Sequence, residues 1–169
     1  TTRDSIDELI EYKGQKYVFV DTAGLRKKIR VKNYTIESFS QLRTQMAIEK
    51  SDICILLIDV NEGITEQDQK IAGMIEEAGK GSIIIFNKID TLQEEEKNKK
   101  IKELRDEIER QLYFIGYSPD LFISAKENIG VNKIFSTINR VYKSYTTSFS
   151  TSDINYALDR IKILLPSPS

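Results

Sequence analysis

Asn87, Lys88 and Asp90 stand together where an apolar run, Ile83-Ile84-Ile85-Phe86, stops abruptly. They supply a carboxamide, an ammonium and a carboxylate within four positions, a set suited to reading a planar base. A carboxylate accepts two parallel hydrogen bonds, and guanine offers two parallel donors, N1–H and its exocyclic amine, where adenine offers no such pair. Asn-Lys-x-Asp after an apolar run therefore predicts guanine reading. Four residues alone specify little, because Asn, Lys and Asp also build ordinary strand-to-helix turns. Two further stretches in the same chain add weight: Asp21-Thr22-Ala23-Gly24 upstream and Ser124-Ala125-Lys126 downstream.

The elements that must hold these residues follow from the apolar pattern. Residues 83–86, three of them β-branched, predict a strand buried on both faces, as in parallel sheets covered by helices. Ligands of open α/β sheets bind at the carboxyl ends of the strands, where the polar cluster falls. Upstream, residues 5–12 and 16–20 predict a hairpin around Lys13-Gly14-Gln15. A loop dense in Arg and Lys occupies 25–32, and residues 37–50 predict a helix with Phe39, Leu42, Met46 and Ile48 at mixed helical spacing. Residues 53–59 predict a second buried strand. Thr65-Glu66-Gln67-Asp68 has the form of a capping box opening a helix to about Ala78.

Beyond the central strand, residues 91–102 interleave both signs of charge, as a solvated helix face does. Leu104, Ile108 and Leu112 recur at four-residue spacing and predict a stripe facing the sheet. Residues 113–120 read as a loop and 121–123 as a short strand leading to Ser124. Residues 131–145 predict a helix with Ile134, Ile138 and Val141 inward. Residues 146–152 are rich in Ser and Thr, as linkers are, and helical spacing resumes over 153–165.

Composition bounds the rest. At 169 residues there is room for one ordinary domain and a short piece of another. A net charge of -1 gives no basic footprint, so direct nucleic-acid binding by this segment is not indicated. With no histidine and a single cysteine, Cys54 in an apolar run, the segment lacks the residues for a zinc site, an imidazole base or an internal disulfide. No apolar stretch reaches the roughly 20 residues of a membrane span, and no signal peptide is evident. A cytoplasmic protein is expected.

Taken with Thr1-Thr2-Arg3-Asp4, the three motifs resemble those of translation-factor-class GTPases. The phrases Thr-Thr-Arg-Asp-Ser-Ile-Asp, Asp-Thr-Ala-Gly-Leu-Arg-Lys-Lys and Thr-Glu-Gln-Asp are most similar to the second GTPase domain of the Der (EngA) family, tandem-GTPase ribosome assembly factors. The resemblance covers nearly the whole chain. It implies an α/β P-loop GTPase-type three-layer sandwich with a mostly parallel central sheet. Its domains would be 1–147, the second GTPase unit, and 148–169, a linker and the first helix of a KH-like domain.

The resemblance also implies roles. GTP or GDP is the ligand and Mg²⁺ the metal, held by Asp21 and by Thr2, with Thr1 the rival of Thr2. The amide of Gly24, beside Thr22 and Ala23, would approach the γ-phosphate. Asn87 would tie the base loop to the phosphate loop and contact guanine N7, Lys88 would lay its stem across the base, and Asp90 would set specificity. Ser124 and Ala125 would present an amide to guanine O6, with Lys126 packing on the other face. Partners would be the large ribosomal subunit and its rRNA, through the intact protein, and the first GTPase domain and the KH-like domain of the same protein.

Two departures qualify the resemblance. The phosphate loop Gly-x-x-x-x-Gly-Lys-Ser/Thr does not occur in the 169 residues, so the chain is expected to be part of a longer protein that supplies the upstream strand and loop. Such a strand would lie between the hairpin and residues 53–59. The second departure is Leu25, which follows Asp-Thr-Ala-Gly where Ras-like enzymes carry the glutamine that orients water. Leucine makes no hydrogen bond, so no catalytic side chain is assigned. Water orientation would come from a backbone group, a bound potassium ion or a partner, and turnover should be slow. A nucleotide-gated binding module with negligible hydrolysis, a tRNA-modifying GTPase sharing Thr-Thr-Arg-Asp and a noncatalytic scaffold stand as alternatives.

Overall fold

Residues 83–86 form the middle of a strand in which every position from Gly81 to Phe86 is buried. The computed structural model describes residues 7–20 and 35–164, with side chains from 42 to 162 in the second stretch. The order is β1 (Asp7–Tyr12), β2 (Gln15–Val20), α1 (Thr35–Lys50), β3 (Ile53–Asp59), α2 (Glu66–Glu77), β4 (Gly81–Asn87), α3 (Glu94–Gln111), β5 (Asp120–Phe122), α4 (Asn132–Thr146) and α5 (Thr151–Leu164). Strands β3, β4 and β5 form a parallel sheet in that order, and β1 pairs with β2 as a separate antiparallel hairpin. Parallel neighbours need a crossover, and α2 and α3 supply them.

Side chains of β4 alternate between two helical layers. Ile84 and Phe86 join Leu56, Ile58, Ala72, Leu104 and Ile108 on the side of α2 and α3. Ile83 and Ile85 meet Ile123 on the opposite side, under Ile134, Ile138 and Val141 of α4. Burying each such Ile or Phe contributes about 1.5–3 kcal/mol, so β4 is held from both faces. The three-layer parallel α/β architecture expected from the sequence is the one observed.

The hairpin turns through Lys13 and Gly14, at φ 51° and 78°. Two positive φ values in a two-residue loop suit the twist of a tight hairpin, and glycine adopts one of them at no steric cost. Gln15 belongs to β2 rather than to the turn. One face of the hairpin docks on α4, where Tyr12 stacks on Phe135 with ring centroids 4.1 Å apart. Leu9 and Val18, cross-strand partners on the other face, are exposed. Among the described residues no ladder joins β2 to β3.

The capping box forms as read: the Asp68 amide donates to Thr65 Oγ1 at 3.2 Å, and the Thr65 amide donates to Asp68 Oδ2 at 3.0 Å. Ser150 and Asp153 repeat it with two bonds of 3.1 Å. That second box starts α5 at Thr151, so the linker is shorter than its Ser and Thr content suggested. In helix α1 the mixed spacing resolves into two sides, with Leu42 and Met46 exposed and Thr44 and Ile48 buried. At 100° per residue these pairs lie on opposite sides of the helix, and only the Ile48 side meets Cys54 and Ile75. Among the described residues no helix is long and apolar enough to cross a membrane.

Candidate functional site

Strands β3 and β4 end level with one another, Asp59 opposite Asn87 in the ladder. Immediately beyond Asn87 the chain turns sharply at Lys88, whose φ of 71° and ψ of 32° are left-handed. Such a conformation costs a non-glycine residue about 1–2 kcal/mol and persists only where neighbours fix it. Here the Lys88 amide donates to Asn87 Oδ1 at 2.8 Å, and the Lys88 carbonyl accepts from the Thr91 amide at 3.0 Å and the Thr91 hydroxyl at 2.7 Å. Ile89 is buried and its amide donates to Ile123 O at 3.1 Å, anchoring the turn on β5's continuation. Asp90 follows in a 3₁₀ turn, Ile89–Thr91.

The second wall comes from the segment after β5. Ser124 is fully buried and exchanges two 3.0 Å backbone bonds with Ile129, closing a tight loop. The Glu127 amide donates to Ser124 Oγ at 3.0 Å inside that loop. Gly130 ends it at φ 73°, with a Cβ there falling 3.0 Å from Phe122 O, so a side chain would meet backbone. The Ala125 amide points back across the site and donates to Asn87 Oδ1 at 2.9 Å. Asn87 thus holds both loops with one oxygen.

Asp90 carries the chemistry this frame leaves unspent. Its Oδ1 is buried and has no hydrogen-bond partner. An acceptor in that condition has given up water without gaining a partner, a loss that a ligand's donor would relieve. The Ser124 hydroxyl, against the opposing effect of burial, holds the carboxyl below the ordinary carboxylate range, helped by its own backbone amide and the Lys126 and Lys88 ammoniums. The group is therefore an anion at neutral pH. Lys126 extends outward beside it, 80% exposed and 3.3 Å from Glu127.

The fold therefore brings together six residues singled out in the sequence: Asn87, Lys88, Asp90, Ser124, Ala125 and Lys126. The Ala125 amide is already engaged by Asn87, so a guanine O6 taking it would share or displace that bond. Thr1, Thr2, Asp21, Thr22, Ala23, Gly24, Leu25 and the basic loop 26–32 lie outside the described residues. Among the described residues no cluster of three His, Cys, Asp or Glu side chains could hold a metal. Two clefts lie away from this site, about 530 Å³ beside α1 and α2 and about 580 Å³ at the amino end of β4.

Sequence reading missed Asp59, Asn61 and Thr91, which join the site through Lys88. Asp59 Oδ2 lies 2.5 Å from Lys88 Nζ. Asp59 Oδ1 accepts from both the amide and the side-chain nitrogen of Asn61, each at 2.9 Å. Their signal was the polar pair ending a buried strand next to the one that carries Asn-Lys-x-Asp.

A parallel sheet layered between helices, with polar loops joined at its carboxyl edge, is the P-loop GTPase-type α/β fold. Solved structures agree on that fold: a variant of Era from Aquifex aeolicus bound to GDP.AlF4- superposes with a TM-score of 0.66 at 22% identity, covering 88% of this chain and 46% of that one. Elongation factor SelB from Methanococcus maripaludis, in complex with the GTP analogue GppNHp, gives 0.64 at 15% identity over 88% of this chain and 30% of that one. The chain belongs to the 50S ribosome-binding GTPase family, whose pattern matches residues 1–88. It is 45% identical to GTPase Der of Thermosipho africanus over 170 residues, 99% of this chain and 38% of that protein. GTPase Der of Thermotoga petrophila is 44% identical over 161 residues, 95% of this chain and 36% of its own length. The chain thus spans less than two-fifths of these curated relatives.

Proposed function

We propose that this chain is the guanine-reading part of a GTPase unit in a Der-type protein, binding GTP and GDP and timing association with the large ribosomal subunit. The observation that carries the reading is the unpartnered, buried, ionised oxygen of Asp90 between two loops that Asn87 ties together. Asp90 accepts guanine N1–H and the exocyclic amine, Lys88 and Lys126 flank the base, and the loop from Ser124 supplies an amide for O6. In this reading Asp21 and Thr2 hold Mg²⁺ and Gly24 meets the γ-phosphate, while a phosphate loop contributes the remaining contacts. The phrases Thr-Thr-Arg-Asp-Ser-Ile-Asp, Asp-Thr-Ala-Gly-Leu-Arg-Lys-Lys and Thr-Glu-Gln-Asp favour the second GTPase unit over residues 1–147, with 148–169 opening a KH-like domain. The first GTPase domain and the KH-like domain are then its partners, and rRNA is reached through the intact protein.

Leu25 favours slow intrinsic hydrolysis, with potassium as the candidate cation that orients water. Titration of the full-length protein with labelled GDP and GTP, with ATP as competitor, tests the reading. Tight binding insensitive to ATP is expected, and displacement by ATP or absence of binding contradicts it. Single-turnover hydrolysis in potassium against sodium separates a GTPase from a nucleotide-gated binding module.

A further inference from the structure

We propose that Asp59, braced by Asn61 and Thr91, is a positioning residue for Lys88 in the base site. The proposal rests on the guanine-reading function above and adds to it a residue from the neighbouring strand. Register makes the pairing available: Asp59 ends β3 opposite Asn87, so its carboxylate lies beside the turn that begins at Lys88. The acid is sheltered, with its side chain 13% exposed, while the lysine side chain is 57% exposed at the rim.

Both oxygens of the carboxylate are engaged, and these contacts fix its direction. Oδ1 accepts twice from Asn61, which leaves Oδ2 turned to Lys88 Nζ at 2.5 Å. Asn61 Nδ2 also donates to Thr91 Oγ1 at 3.0 Å, and Thr91 Oγ1 donates to Lys88 O at 2.7 Å. The circuit therefore grips Lys88 at both ends, its carbonyl through Thr91 and its ammonium through Asp59. Burial raises the Asp59 carboxyl, and the Lys88 ammonium with the Asn61 amide and side chain outweighs it, keeping the acid ionised below the ordinary range.

A lysine stem held at both ends becomes a fixed apolar rod. Its methylenes can then cover a planar base without first losing the rotamer freedom of a loose side chain. Asp59 needs no contact with the nucleotide to do this. Its removal should raise the dissociation rate while leaving the preference for guanine, which Asp90 sets, in place.

The experiment is a double-mutant cycle on the full-length protein, reading GDP affinity and dissociation rate with urea unfolding as control. Asp59→Asn removes the charge and keeps the shape, and Lys88→Met removes the ammonium and keeps the stem. Asp59→Asn should weaken GDP binding about tenfold in the wild-type background and have little effect beside Lys88→Met, because the two act as one unit. Asn61→Ala should reproduce the loss in weaker form. Equal losses in both backgrounds, or no loss in either, overturn the proposal while wild-type binding upholds the guanine reading. Failure of the wild-type protein to bind GDP overturns both.

Discussion

Asn87 Oδ1 accepts the Ala125 amide at 2.9 Å, and this bond joins loops 38 residues apart in sequence. The same oxygen accepts the Lys88 amide at 2.8 Å. One carboxamide thus sets the spacing of the two walls between which Asp90 sits. Asn87→Ala leaves two amides without an acceptor and should cost about 1–3 kcal/mol, read by urea unfolding. Asn87→Asp retains an oxygen in place and should lose less. Equal stability of Asn87→Ala and wild type would show that the bond does not hold the loops.

Acid should act on the two carboxylates of the site in one direction. Asp59 and Asp90 both have folded-state pKa values depressed below their ordinary value. Such groups contribute stability that is fully present above the unfolded pKa and is lost as pH falls through the folded one. Stability should therefore be level from neutral pH down to the ordinary carboxylate range, about 3.9, and fall below it. In Asp59→Asn the fall should be shallower. A loss of stability centred near pH 6 would contradict the assignment.

Cys54 should behave as core. It is a free, buried thiol on β3, and burial pushes it up to about 11 against the opposing pull of the Lys80 ammonium. Because the thiolate is the reactive form, alkylation at pH 8 should be slow in the native protein and rapid in urea. Fast native labelling, followed by mass, would contradict the packing of Cys54 against Ile48 and Ile75.

Helix α5 should be separable from the sheet. Its side chains are exposed throughout 151–162, including Ile154, Leu158 and Ile161 at 48–50% exposure. Ending the chain at Thr147 should therefore change unfolding stability by no more than about 0.5 kcal/mol, the range of surface changes. A larger loss would place α5 in the fold that precedes it.

Much of this fold was legible because buried parallel strands and capped helices write local patterns. Residues 53–59 matched β3 to the residue, and the stripe Leu104, Ile108 and Leu112 faces the core. Helix α1 was legible as a helix but not in its buried face, because its apolar residues sit on two opposite sides and periodicity does not say which side the sheet takes. In the site, Asn87, Lys88, Asp90 and Ser124 announced themselves by motif. Asp59, Asn61 and Thr91 did not, because their part depends on the register of two strands, which forms only when the sheet does.

The most direct measurement is the base selectivity of Asp90→Asn in the full-length protein, by competition between GDP and xanthosine diphosphate. Xanthine presents a carbonyl where guanine has its amine, so an amide oxygen and amide N–H match its N1–H and O2. The variant should lose GDP by about 100-fold or more, as happens when a buried polar group is left mispaired, and gain xanthosine diphosphate. Unchanged preference for GDP would contradict the claim that Asp90 reads the base.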